Sequence, residues 1–299
     1  MKKTKALFAR GKVRRNSGVL FVILYPMNRL EKTFHDLRAR GTNASRERAF
    51  IPFVTCGDPD LAVTHDLLLA YVEAGADIVE IGIPFTDPLA DGPTIQRASE
   101  RALANGVTMD DALQLIFDVR AQTDVPLVPM TYINPVWQIG YENFASRCRD
   151  AGADAVILSD LPPEEGAAWI EASRKHDIGA IFLLAPTSDE ARLKAVTQAA
   201  SGFIYAVARL GVTGAKSDVP PEIGDLIGRI RKHTSTPVCA GFGFSSASQI
   251  RATCQSTDVD GIVVASALID RIENTDGKAS AKIAAASAFA RELKDGTRV

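Results

Sequence analysis

Cysteine and histidine are scarce in this chain, four of each among 299 residues. Cys56, Cys148, Cys239 and Cys254 form no CxxC pair, and the nearest histidines, His65, His176 and His233, show no ligand spacing. A structural zinc site or a disulfide framework is therefore not expected, and a reducing compartment, the cytoplasm, fits best. Cys56 and Cys239 lie in apolar, strand-like runs, where a free thiol acts as a small hydrophobe. Long apolar stretches are missing too: the longest, residues 19–25, is far short of the ~20 residues that a membrane helix needs. Nor is there an excess of positive charge. With 34 basic against 36 acidic residues the net charge is −2, which argues against a nucleic-acid binder relying on a broad positive field. No repeat or low-complexity tract appears beyond an Ala-rich helical stretch near the end, which signals helix propensity.

What is present is unevenly placed. Residues 1–26 carry Lys2, Lys3, Lys5, Arg10, Lys12, Arg14 and Arg15 and no acid, so a basic leader precedes a body with 27 bases and 36 acids. Within that body short apolar runs alternate with amphipathic ones. Strand candidates fall at 49–56, 77–84, 126–133, 154–161, 180–187, 203–210, 237–243 and 261–268. Each is rich in Val, Ile, Leu or Phe on both faces, as in parallel strands covered on both sides. Eight strands alternating with helices predict a (β/α)8 TIM barrel. The alternative, a doubly wound sheet, lacks a GxGxxG after its first strand. Ahead of the first strand, Leu30, Phe34 and Leu37 make one helical stripe, expected to pack over the bottom of the barrel. GTNASRER (41–48) reads as a polar linker. The extra length after the second and sixth strands marks enlarged loops, and chemistry in such barrels sits on the loops at the C-terminal strand ends.

Glu80 lies near the end of the second strand within Ile78-Val79-Glu80-Ile81-Gly82. A carboxyl there is desolvated, which raises its pKa and suits proton delivery near neutrality. The competing reading is a glutamate paired with a core Lys or Arg. Pro84-Phe85-Thr86-Asp87-Pro88-Leu89-Ala90-Asp91-Gly92-Pro93 follows as a stiffened loop with two further acids. Asp91 beside Glu80 would divide the proton duties; alternatively it is a turn or N-cap residue of the next helix. Segments rich in glycine and small residues form a second constellation. They are RLGVTGA (209–215), GFGFSS (241–246) and ASA (265–267), positioned for backbone N–H groups to hold a phosphate. Phe53, Tyr132, Tyr205 and Phe242 read either as core or as the lining of an apolar pocket.

Together these residues resemble the tryptophan synthase alpha chain family across 27–299. The resemblance is carried by PFVTCGDPD (52–60), VEIGIPFTDPLADGPTIQRAS (79–99), YINP (132–135), SDLPPEE (159–165), RLGVTGA and GFGFSS. It implies a barrel that cleaves indole-3-glycerol phosphate to indole and glyceraldehyde 3-phosphate, with no metal and no cofactor of its own. It further implies Glu80 and Asp91 as the catalytic acids and Asp87 as their support. Phe53, Tyr132 and Tyr205 would stand at the indole, and Gly214, Gly243 and Ser266 at the phosphate. Thr213, on a mobile loop, would help to order Asp91 on closure. The implied partner is a pyridoxal-phosphate beta chain in an alpha-beta-beta-alpha tetramer, with PFTDPLADGP and YINP near the contact. Ala265, where the family usually has glycine, and a long 41–46 connection are its departures from the pattern. A stand-alone lyase, or a non-catalytic activator of a beta chain, are the competing readings; the second sits badly with intact Glu80 and Asp91.

The leader 1–26 has no counterpart in the family's bacterial members. It reads either as a targeting segment or as an upstream start before a protein beginning at Met27, and the second reading is favoured because no A-x-A-like cleavage site is present. It is expected to be disordered or absent from the native chain.

Overall fold

The computed structural model describes residues 9–16, 19–40, 46–207, 221–241 and 243–299. Two strands come first, β1 (Ala9–Asn16) and β2 (Val19–Pro26), paired antiparallel from Ala9↔Pro26 to Asn16↔Val19 in a sheet separate from the barrel. The β-branched and aromatic content of VLFVILYP suits a pleated strand, which accounts for the pairing.

Helix α1 (Arg29–Ala39) opens on a capping box: Asn28 Oδ1 accepts the Glu31 N–H at 2.8 Å and Glu31 reaches back to the Asn28 N–H at 3.2 Å. Leu30, Phe34 and Leu37 are buried as the stripe predicts, and Phe34 meets Phe203 edge-on with ring centroids 6.2 Å apart. These three side chains pack with Ala49, Ile51, Ile78, Val128 and Phe203. At roughly 1.5–3 kcal/mol per large apolar side chain buried, this contact holds α1 across the barrel floor.

The barrel proper begins with β3 (Ala49–Thr55), followed by α2 (Leu61–Glu73). Next come β4 (Val79–Gly82) with α3 (Pro93–Ala104) and α4 (Met109–Arg120), then β5 (Leu127–Thr131) with α5 (Ile133–Ile139) and α6 (Tyr141–Ala151). The middle units are β6 (Ala155–Leu158) with α7 (Ala167–Lys175), β7 (Gly179–Leu184) with α8 (Glu190–Ala199) and β8 (Ile204–Val207) with α9 (Pro221–Arg231). The chain closes with β9 (Val238–Gly241), α10 (Ala247–Ser256), β10 (Gly261–Val264), α11 (Ser266–Glu273) and α12 (Ala279–Asp295). All neighbouring barrel strands pair in parallel, and β10 joins β3 to close the ring.

Alternation along each strand splits the core. Inward residues such as Ile51, Ile78, Val128, Ile157, Ile181 and Val263 fill the barrel, and outward ones such as Val54, Val79, Leu127 and Val156 pack under the helices. The four cysteines are buried free thiols. YINP, whose first two residues fall in the strand expected over 126–133, enters the short helix α5 instead, with Tyr132 as its N-cap residue. The enlarged unit after the second barrel strand is the loop 83–92 plus α3 and α4. The one after the sixth strand falls on 208–220, outside the described residues.

Candidate active site

Register places Glu80 opposite Phe53 on β3 and Val128 on β5, facing the barrel mouth. Its residue is 1% exposed, and its Oε2 has no hydrogen-bond partner. Among the described residues no cation lies in ion-pair range of it, so the core ion pair finds no partner there. Burial, and secondarily the charge of Asp91, pushes the Glu80 carboxyl up to about 8, so it is protonated at neutral pH.

Asp91 follows the stiff loop and stands just ahead of Gly92, the N-cap residue of α3, whose first helical residue is Pro93. The capping alternative for Asp91 is thereby excluded. Its backbone is held twice: its N–H donates to Pro88 O at 3.0 Å, and Gln96 Nε2 donates to its carbonyl at 3.0 Å. Burial raises the Asp91 carboxyl, opposed by a hydrogen bond from the Tyr132 hydroxyl. That hydroxyl also accepts the Ala90 N–H at 3.1 Å, and Phe85 stacks on the Tyr132 ring at 5.3 Å. Tyr132 thus pins both the loop and the carboxylate. Asp87 is elsewhere: it is exposed, and its Oδ2 accepts the hydroxyl of its neighbour Thr86 at 2.6 Å.

Two glycines make room for the aromatic walls. A Cβ at Gly82 would fall 2.4 Å from the Phe53 ring, and one at Gly241 would fall 2.6 Å from the Tyr205 hydroxyl. Tyr205 is buried, and burial followed by nearby Glu80 holds its hydroxyl well above the usual tyrosine range. Phe53, Tyr132 and Tyr205 are therefore brought to the same mouth as Glu80 and Asp91.

On the far side, Gly243 has φ +79° in the left-handed region, and Ser246 caps α10 by accepting the Gln249 N–H at 3.3 Å. Ser266 is the first residue of α11, whose N-cap residue is Ala265. These two helix starts give N–H groups and a positive dipole end at the rim. Thr213, Gly214 and Phe242 lie outside the described residues. Among the described residues no group of three His, Cys, Asp or Glu is arranged to hold a metal ion. A surface groove of 620 Å³ between α7 and α8, lined by Glu164, Ile170 and Arg174 among others, contains no buried ionisable group.

Phe85 and Gln96 are participants that composition and spacing did not single out. Gln96 could have been found from its position, five residues past Asp91 on the first turn of α3, from which its amide reaches back.

A family model described as the tryptophan synthase alpha chain matches residues 40–298. The chain belongs to this family. It is 44% identical over 251 residues to the tryptophan synthase alpha chain of Geotalea uraniireducens, covering 84% of this chain and 91% of that one. The Caldanaerobacter subterraneus alpha chain is 42% identical over 246 residues, covering 82% and 91%. Among solved structures, tryptophan synthase from M. tuberculosis superposes with a TM-score of 0.80 at 34% identity, covering 91% of this chain and 100% of that one. Tryptophan synthase subunit alpha from Legionella pneumophila gives a TM-score of 0.78 at 35% identity, covering 89% and 98%. The eight-stranded barrel found here is thus the fold of the tryptophan synthase alpha chains. Among the described residues no helix is long and apolar enough to cross a membrane.

Proposed function

We propose that this chain is a lyase, the alpha subunit of tryptophan synthase, cleaving indole-3-glycerol phosphate to indole and glyceraldehyde 3-phosphate in tryptophan biosynthesis. The observation that carries the reading is the buried Glu80 carboxyl, without a cationic partner among the described residues and raised to about 8, at the same barrel mouth as Asp91. A group protonated at neutral pH supplies what the retro-aldol step lacks, a proton at indole C3. That proton generates a cation on the ring, and the Asp91 carboxylate, which accepts from the Tyr132 hydroxyl, stabilises it at the ring N–H. The C–C bond then breaks, and its electron pair restores the aromatic indole. The Glu80 carboxylate takes the proton of the glycerol hydroxyl as the aldehyde forms, so the site ends as it began.

In this assignment the rings of Phe53, Tyr132 and Tyr205 border the indole, and Gly214, Gly243 and Ser266 hold the phosphate through backbone N–H groups. Thr213 orders Asp91 when the site closes and water is excluded. Asp87 supports the loop through Thr86 and stays clear of the substrate. Net negative charge in the body leaves local dipoles to hold an anionic substrate. The partner is a beta chain in an alpha-beta-beta-alpha assembly that receives the indole. Pyridoxal phosphate belongs to that chain, and none of these steps runs through it. Exposed Leu89 and Trp137, on the loop after β4 and on α5, fit the apolar side of this contact. The setting is cytoplasmic.

The test is indole release from indole-3-glycerol phosphate by the full chain, with and without saturating beta chain. Acceleration by the beta chain, and its loss in Glu80→Gln, is the expected result. Unchanged release by Glu80→Gln overturns the acid assignment, and equal rates with and without beta chain turn the reading to a stand-alone lyase.

A further inference from the structure

The loop that carries Asp91 is tied to helix α11 by a set of polar contacts that the acid–base chemistry does not use. Thr94, on the first turn of α3, donates its hydroxyl to Asp270 Oδ1 at 3.1 Å. Asp270 lies one turn beyond Ser266 on α11. One turn further along both helices, Arg97 pairs with Glu273 through two contacts of 3.1 and 2.9 Å, and its Nη2 lies 3.6 Å from Asp270. Arg101 then reaches Glu273 at 3.1 Å and grips buried Asp58 in a bidentate pair at 2.7 and 2.8 Å. The seam between the helices is apolar beneath these groups, where Ala98 of α3 and Ile269 of α11 pack on Phe53. Gln96 completes the path by donating to the Asp91 carbonyl at 3.0 Å.

The outer pairs, Arg97–Glu273 and Arg101–Glu273, hold the two helices together, and Arg101–Asp58 ties α3 to the loop after β3. The Thr94–Asp270 bond differs in position. It joins the first turn of α3, three residues from Asp91, to the end of α11 that carries Ser266. We infer that Thr94 and Asp270 are positioning residues that hold Asp91 in register with the phosphate end of the pocket, so that phosphate seated at the start of α11 aligns the Asp91 carboxylate. This rests on the phosphate assignment above. The chemistry follows from how enzymes use remote contacts: binding energy at a non-reacting group is realised at the reacting centre only through a rigid connection. A substrate without phosphate leaves that connection with nothing to transmit.

The experiment compares wild type, Asp270→Ala, Asp270→Asn and Thr94→Val as full chains with saturating beta chain, on indole-3-glycerol phosphate and on phosphate-free indole-3-glycerol. Asp270→Asn keeps the oxygen that accepts from Thr94. The expected result is a kcat about five- to tenfold lower for Asp270→Ala and Thr94→Val on the phosphate ester, with KM moved less than twofold. On the phosphate-free substrate all four chains turn over alike, and Asp270→Asn stays near wild type on both. Equal losses on the two substrates reduce the bond to ordinary scaffolding and overturn the inference, as does the absence of any loss. Failure of wild type to cleave the phosphate ester at all sinks the proposed function itself, and shows before any variant is compared.

Discussion

At the N-terminal end of the barrel Asp77, Asp154 and Asp260 each stand just before a strand. Each accepts the backbone N–H that opens the neighbouring ladder: Phe50 at 2.8 Å, Leu127 at 2.9 Å and Val238 at 2.9 Å. Each also has cationic partners: Lys294 for Asp77, Arg29 and Arg120 for Asp154, and Arg38, Arg46 and Arg231 for Asp260. At the C-terminal end Glu80 is as deeply buried and has no such partner among the described residues. The difference teaches that burial alone does not assign a role to a carboxyl. Burial raises Asp260 as it raises Glu80, but Arg231, Arg38 and the Val238 N–H outweigh it and hold Asp260 below the usual carboxylate range. Charge is satisfied where the fold needs rigidity and left unsatisfied where a proton must move.

The largest expected effect breaks the upper end. Glu80→Gln keeps the shape and removes the proton donor, so indole release falls about 10³-fold while thermal unfolding is not lowered. Asp260→Ala breaks the lower end. It strands three arginines and the Val238 N–H, and destabilises the chain by about 3 kcal/mol. Denaturant unfolding reads that loss, and kcat per folded molecule stays within twofold of wild type.

pH separates the two ends again. A folded-state pKa of about 8 lies above the ordinary glutamate value of 4.5, so the folded chain holds a proton that the unfolded chain has released. Stability referred to Glu80 is therefore full below pH 4.5 and is lost as pH rises toward 8. Glu80→Gln escapes this loss, and its advantage over wild type grows between pH 5 and pH 8 to at most about 4 kcal/mol. Urea unfolding at the two pH values measures it; a difference that does not change with pH refutes the raised carboxyl. A smaller effect is expected for Tyr132→Phe. Loss of the hydroxyl removes the bond that lowers the Asp91 pKa, so the acid limb of kcat moves to higher pH and turnover falls about fivefold.

Much of this was legible in residue order. Apolar runs on a strand–helix rhythm give the barrel, because parallel strands covered on both faces leave that pattern. Glu80 stands out as a carboxyl flanked on both sides by apolar strand residues. The lower carboxylates Asp77, Asp154 and Asp260 carry no such mark, since their partners Lys294, Arg120, Arg38 and Arg231 are far away in sequence. Tyr132 was legible as a pocket wall, whereas its grip on Ala90 and Asp91 depends on how the loop folds back 42 residues. Asp87 and Asp91 look alike in sequence. Only the direction of the loop separates the exposed Asp87 from the half-buried Asp91.

The smallest effect concerns a bracket without charge. The N-terminal brackets recur on alternate strand pairs: β3 with β4, β5 with β6 and β9 with β10 carry an aspartate. On β7 with β8 the place is taken by Ser201. Its Oγ accepts the Ala180 N–H at 2.9 Å, and its own N–H donates to Ala180 O at 2.9 Å. Ser201→Ala leaves one buried N–H without a partner and no stranded cation. The cost is about 1 kcal/mol, near a third of that for Asp260→Ala, and activity is unchanged. Urea unfolding of the two variants side by side measures the ratio. A Ser201→Ala loss equal to that of Asp260→Ala would place the strength of the lower end in its backbone brackets, and its arginines would then add nothing.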